Sequence, residues 1–239
     1  MGHDLIAIYW IKAIEYVLAL SYLPLFILFW KFASPKRPAP ARVPATAPGW
    51  ADQLAGSFQV PADLFFHRGH TWVRLGGDAT VTVGIDDFAQ KLVGPLGGVT
   101  LPAVGATLAQ GEPALSIDAG AASIDMLAPV DGTVVAVNPR LADSADIVKT
   151  SPYGDGWLIQ IRSTRLAGNL KNLLSGTLAR RWMDTVCESL GAEMGTLDLG
   201  GVYADGGQVV DGIARSLSPE NWDAVARRFF LTEDGGRHE

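Results

Sequence analysis

A single cysteine, Cys187, and four histidines stand among 239 residues. That scarcity excludes a disulfide framework and a metal centre built from several cysteines. Basic residues are also short: 19 Lys and Arg against 25 Asp and Glu leave a net charge of −6. A nucleic-acid partner is therefore not expected. There is no Ser-His-Asp arrangement, paired acid–base motif or nucleophile elbow. No catalytic residue is assigned, and the chain is read as non-enzymatic. No lysine occurs between Lys91 and Lys149. Cys187 itself falls in a helical pattern, where the expected role is a small buried hydrophobe.

Apolar residues, by contrast, are plentiful at 48%, with a mean hydropathy of +0.19. The excess is concentrated in "LIAIYWIKAIEYVLALSYLPLFILFWKF", residues 5–32. A bilayer needs about 20 apolar residues, so this run is long enough to cross one. A cleaved signal peptide would want an early cation and a small-residue cleavage site, and neither is present. Residues 1–33 are read as an uncleaved transmembrane anchor. Lys31, Lys36, Arg37 and Arg42 follow the run, which places the C-terminal bulk in the cytoplasm, His3 outside and the protein in the inner membrane as a single-pass chain. Pro24 is expected to kink the helix, and Tyr9, Trp10 and Trp30 stand where interfacial aromatics would. Lys12 and Glu15, three apart, share a helix face. The anchor is read as packing against other membrane subunits through them, or else Lys12 snorkels to the interface.

Residues 34–49 hold five of the 14 prolines and read as a semi-rigid spacer within a linker, 34–57. The pattern then changes. "TWVRL", "ATVTVGI", "GVTLP", "GTVVAVN" and "WLIQIR" are short β-branched or alternating runs separated by Gly, Pro and Asp turns, the mark of an all-β sandwich or small barrel over 58–165. "GIDDFAQKLVG" (84–94) breaks the alternation as a short helical turn. From 166 to 239 the period becomes helical, with Leu170, Leu174, Leu178, Trp182, Val186 and Leu190 at i+4 spacing. "SPEN" predicts a helix start with Ser218 as N-cap and Pro219 at the first helical position.

Other groupings are weaker. His67 and His70, with Asp86 and Asp87 downstream, do not supply the three convergent ligands a metal needs and are read as polar groups at the start of a strand; no metal is assigned. "LGGVYADGGQVV" (199–210) lacks both phosphate-loop fingerprints and reads as a glycine-rich turn joining a strand to a helix. Arg180, Arg181, Arg227 and Arg228 give basic faces to two helices, solvated by default and partner-docking as the second option. Trp182, Trp222, Phe229 and Phe230 are expected as core or interface anchors.

The strand region resembles the H protein of the glycine cleavage system. "HTWVRL" (70–75), "VGIDDFAQ" (83–90), "LPAVG" (101–105), "GE" (111–112), "APVDGTVVAVN" (128–138) and "SPYGDGWLIQI" (151–161) match that family's motifs in order and without gaps from about 65 to 162. The resemblance implies a lipoyl-domain-like sandwich and barrel hybrid, here with an N-terminal transmembrane helix and a C-terminal α-helical (α+β) region added. It also implies a cofactor-bearing lysine at the tip of the hairpin in "SIDAGAASIDMLAPVDG" (116–132). Counting forward from Gly111 and back from Ala128 both arrive at Ala121, so the attachment motif is replaced by Asp118-Ala119-Gly120-Ala121-Ala122. "IDM" (124–126) does not supply the Met-Lys-Met of a biotinyl tip, and an alanine methyl has no amine to acylate. Where the family has an acidic residue after its Leu-Gly pair, Pro95 stands. No cofactor is therefore expected. The chain is read as a non-catalytic, membrane-anchored accessory or scaffold subunit of a multi-subunit membrane complex, with electron transfer as one setting. Cytoplasmic protein subunits would dock on the β domain and the C-terminal helices. The alternatives are an acyl or aminomethyl carrier of a glycine-cleavage-like system, and a ligand-binding or enzymatic site within 166–239.

Overall fold

In a computed structural model of the chain the described residues are 54, 56–120, 122–142, 144–196, 204–205, 208–209 and 211–232, together with 12, 16, 20, 22 and 26. The chain divides into two compact units, Met1–Thr46 and Ala47–Glu239. In the first, Lys12, Tyr16, Leu20, Tyr22 and Phe26 are helical, and the rings of Tyr22 and Phe26 stack with centroids 6.1 Å apart. The expected anchor and Glu15 otherwise lie outside the described residues, as does most of the linker. Among the described residues no helix is long and apolar enough to cross a membrane.

The second unit is built on short strands whose β-branched residues alternate between faces. Strands β1 (Phe65–Phe66), β2 (Thr71–Leu75) and β3 (Thr80–Ile85) open it. In β3, Val81 and Val83 are buried while Thr80 and Thr82 are half-buried, as the period of two requires. Helix α1 (Asp87–Val93) follows, with the Asp86 carboxylate accepting from the Ala89 amide as its N-cap. Next come β4 (Gly98–Thr100), β5 (Thr107–Leu108), β6 (Pro113–Ala119), β7 (Ala122–Leu127) and β8 (Gly132–Val137). A 3₁₀ turn at Pro139–Ala142 and helix α2 (Asp146–Thr150) lead to β9 (Ile159–Arg162). Helix α3 (Leu166–Asn169), strand β10 (Leu174–Ser175) and the long helix α4 (Gly176–Thr196) complete the main body. Beyond it lie β11 (Ala204–Asp205), β12 (Gln208–Val209), α5 (Ile213–Leu217) and α6 (Trp222–Phe229).

The strands form a seven-stranded sheet in the order β10-β1-β2-β3-β9-β8-β5 and a three-stranded sheet in the order β4-β6-β7, with β11-β12 separate. Every pairing is antiparallel. One core joins the two larger sheets: Val81, Val83 and Ile159 from one meet Ile117, Ile124 and Met126 from the other, and Phe88 and Leu92 of α1 complete it. This is a lipoyl-like β-sandwich with helices after it. At one point side-chain volume dictates the sequence. Trp72 is fully buried and donates to the Ile85 and Pro152 carbonyls at 2.9 and 3.1 Å. Its register partner is Gly84, where a Cβ would lie 2.6 Å from the indole ring. Only glycine leaves that ring its space.

Three expectations change in the C-terminal third. The helical period does not begin at Leu170. Leu174 pairs in β10 with Phe66, and α4 starts at Gly176 with Leu178 63% exposed. The buried residues are Ala179, Met183, Cys187, Leu190 and Met194, Ala179 against Phe66 and Trp72 and the rest in the main core, with Trp182 and Val186 packed beside them. Their spacing is four, four, three and four; they run one residue later than expected until they meet Leu190, which both patterns share, and β10 takes up the first residues. Ser218 is not an N-cap. It terminates α5, its amide donating to the Ala214 carbonyl, and Pro219 lies in the turn before α6 begins at Trp222. The glycine-rich segment holds an antiparallel pair, Ala204↔Val209 and Asp205↔Gln208, where a single strand-to-helix turn was expected.

Candidate functional site

The hairpin of β6 and β7 is the element on which the family resemblance turns. Buried Leu115, Ile117 and Ala119 on one strand and Ile124 and Met126 on the other fix its register. Ile117 pairs with Ile124, Asp118 with Ser123 and Ala119 with Ala122. Only residues 120 and 121 are left to connect the strands, and Gly120 takes a left-handed φ of 68°. Ala121 lies outside the described residues. Ser116 donates across the hairpin to Asp125 at 2.7 Å, and the Asp118 carbonyl accepts from the Gly97 amide at 2.7 Å.

The C-terminal helices cap this tip. Arg215 of α5 donates from Nη2 to the Ala119 carbonyl at 2.7 Å, and its guanidinium lies 4.3 Å over the Trp222 ring. Arg227 of α6 donates from Nη2 to the Ser123 carbonyl at 2.7 Å. Ile213, Ala214, Leu217, Ala226 and Phe230 belong to the same core as Ile117 and Ile124. The approach of this segment to α1 is close. The Gly212 amide donates to the Lys91 carbonyl at 2.8 Å, and a Cβ on Gly94 would lie 2.8 Å from the Gly212 Cα. Of the aromatic anchors expected from the sequence, Phe230 is buried, while Trp182, Trp222 and Phe229 pack against the core half-buried. Arg227 holds the hairpin and makes an ion pair with Asp223 at 3.8 Å. Sequence reasoning passed over Arg215. Its partner is a main-chain carbonyl 96 residues away, which leaves no side-chain signature to find.

The two histidine–aspartate neighbours serve different ends. His70 Nδ1 and Asp86 Oδ2 are 2.7 Å apart and buried, so the ring nitrogen donates to the carboxylate. The His70 ring is enclosed by Phe88, Trp182 and Phe230, with centroids 4.4, 4.8 and 5.8 Å away. His67 Nδ1 accepts from the Gly69 amide at 3.0 Å. Burial, with the neighbouring His70 and Arg68 charges adding to it, lowers the His67 pKa to about 4. Asp87 anchors a second network, accepting from the Gln59 amide, the Gln90 side chain and Lys91 at 3.0, 2.7 and 2.9 Å. The Asp87 amide donates to the Tyr153 hydroxyl at 3.0 Å. Burial drives the Tyr153 pKa well above the ordinary phenol value, with the Asp86 charge contributing. Among the described residues no three His, Cys, Asp or Glu side chains gather as a metal would require.

Asp131 ties the return of the hairpin to α3. Asp131 accepts from the Asn169 side chain and the Gln110 amide at 2.8 Å each, and from Arg165 at 2.6 Å. Those bonds hold its carboxyl below the usual range, the Asn169 bond most strongly. Cys187 is buried, its Sγ 3.7 Å from the Leu54 carbonyl, and burial pushes the thiol up to about 12. It is a packing residue, as its place in a helical pattern led us to expect.

A family model described as glycine cleavage H-protein matches residues 64–185. The chain is 42% identical over 118 residues to the glycine cleavage system H protein of Salmonella arizonae, covering 49% of this chain and 91% of that one. It is 42% identical over 120 residues to the H protein of Mycolicibacterium smegmatis, covering 50% and 90%. A crystal structure of the H protein from Mycobacterium marinum aligns with 30% identity and a TM-score of 0.47, covering 53% of this chain and 98% of that one.

Proposed function

The chain belongs to the glycine cleavage H-protein family, and from that premise we propose that it is a non-catalytic, membrane-anchored accessory subunit whose H-protein domain binds partners without carrying lipoate. The observation that carries this reading is the hairpin tip. The residues on both sides match the family without gaps, the strand register closes on a two-residue connection, and no lysine occurs anywhere between Lys91 and Lys149. Lipoylation forms an amide on a lysine ε-amine, and position 121 offers a methyl group. Arg215 and Arg227 add support, because they tether the hairpin to the C-terminal helices from both of its strands. The helices so held lie against the end of the hairpin at which a carried group would be borne. The anchor at 1–33, the cytoplasmic placement of the bulk and the role of Lys12 and Glu15 in contacting other membrane subunits belong to the same proposal.

A carrier of acyl or aminomethyl groups is the second reading, and the H-protein domain itself favours it, since the relatives are glycine cleavage system H proteins. It requires an attachment amine away from position 121. Intact-mass measurement separates the two. The full chain is produced in cells supplied with lipoate and a lipoyl ligase, beside the variant Ala121→Lys. We expect the unaltered chain to gain no lipoyl mass. A lipoyl increment on it establishes the carrier reading. Gentle detergent extraction followed by sizing and mass spectrometry tests the scaffold role: co-eluting subunits support it, and a lone monomer overturns it.

A further inference from the structure

Away from the hairpin, a cavity of about 710 Å³ lies where the 67–70 turn, the outer face of α4 and the end of α6 meet. Arg68, Arg181 and Arg228 line it, together with His70, Trp182 and Phe229. Three guanidinium groups at one concavity stand out in a chain of net charge −6. Arg228 is paired with Glu193. Arg68 and Arg181 make no ion pair among the described residues. Among the described residues the cavity therefore holds two positive charges that pair with no carboxylate.

Its other walls have a different chemistry. His70 is 1% exposed, and its Nδ1 is committed to Asp86. Nε2, the remaining polar atom of the ring, takes no hydrogen bond among the described residues. Trp182 and Phe229 supply flat apolar surface, with the Trp182 ring 4.8 Å from the His70 ring. A site that combines a few convergent polar groups with aromatic walls is the usual form of a small-molecule pocket, and such pockets run from about 300 to 1,000 Å³. Guanidinium groups match oxyanions through paired N–H donors. Two guanidinia balance a dianion, which a phosphate monoester is and a single carboxylate is not. The aromatic faces suit a ring system borne on that phosphate.

We propose that this cavity is a binding site for a phosphate monoester carried on a flat ring, of mononucleotide size, with Arg68 and Arg181 on the phosphate and Trp182 against the ring. This site lies outside the hairpin and stands whether or not the chain carries lipoate. The test titrates the full-length chain with adenosine 5′-monophosphate, adenosine and inorganic phosphate, followed by calorimetry and by the phosphorus resonance. The monophosphate binds, adenosine binds at least about tenfold more weakly, and free phosphate binds weakly at the same arginines, since a charge-assisted hydrogen bond is worth about a factor of ten or more. Arg68→Ala and Arg181→Ala each weaken the monophosphate by about tenfold or more on the same grounds. Both side chains are exposed, and unchanged circular dichroism and melting confirm that the variants fold. Arg140→Ala, at an exposed ion pair with Asp155 elsewhere, leaves binding unchanged. No binding at millimolar concentration overturns the proposal. So do equal affinities for the monophosphate and adenosine, and binding that survives both arginine substitutions.

Discussion

His67 shows what burial does to a single titratable group in this fold. Its Nδ1 is held as an acceptor by the Gly69 amide, and the folded protein lowers its pKa from 6.5 to about 4. The unfolded chain therefore binds a proton between those two values that the folded chain refuses, so stability falls as pH drops through that window and is fully present above it. His67→Gln is expected to flatten the melting-temperature profile between pH 6.5 and 4, measured by thermal denaturation in matched buffers. A profile as steep as that of the unaltered protein would place the titration elsewhere. The same residue shows where sequence reading stops. His67 and His70 were legible as polar groups at the start of a strand. The enclosure of His70 by Phe88, Trp182 and Phe230 was not, because it brings together side chains from four separate stretches of chain.

Among the elements, the strands were the most legible. β2, β3, β8 and β9 coincide with alternating runs, and α1 with the break at "GIDDFAQKLVG", because each is decided by its own local pattern. The C-terminal elements were misplaced at their ends. β10 removes Leu174 from the helix period, and the turn at Pro219 delays α6 to Trp222, both tertiary effects that no local spacing encodes. The candidate site follows the same division. The hairpin could be read directly, whereas the contacts by which the helices cap it could not. Two arginines hold those helices to the tip, which gives a test at this scale. Arg215→Ala combined with Arg227→Ala is expected to raise amide exchange in α5 and α6 by about tenfold or more, the worth of two partly exposed hydrogen bonds. The ladder amides between β6 and β7 keep their protection. Hydrogen exchange read by mass spectrometry distinguishes this from a general loosening, in which both regions would exchange faster.

At the scale of the whole unit 47–239, the family domain and the residues beyond it share one core. Ile213, Ala214, Leu217, Ala226 and Phe230 lie in it beside strand residues, and full burial of a large apolar side chain is worth about 1.5–3 kcal/mol. Truncation after Thr196 is thus expected to lower the melting temperature by about 10 °C, given 2–4 °C per kcal/mol at this size. Differential scanning calorimetry measures it, and an unchanged midpoint would mean that the segment adds nothing to the core. The manner in which that segment holds the hairpin decides which substitutions the tip tolerates. Arg215 and Arg227 grip the carbonyls of Ala119 and Ser123, groups that every amino acid presents alike. The grip is therefore blind to the side chains of the two residues it holds, 119 and 123. Substitutions at 122 and 123 can accumulate without loosening it, whereas a Cβ on Gly120, whose φ is 68°, would lie 3.3 Å from Arg215 Nη2 and press on the guanidinium that makes the grip.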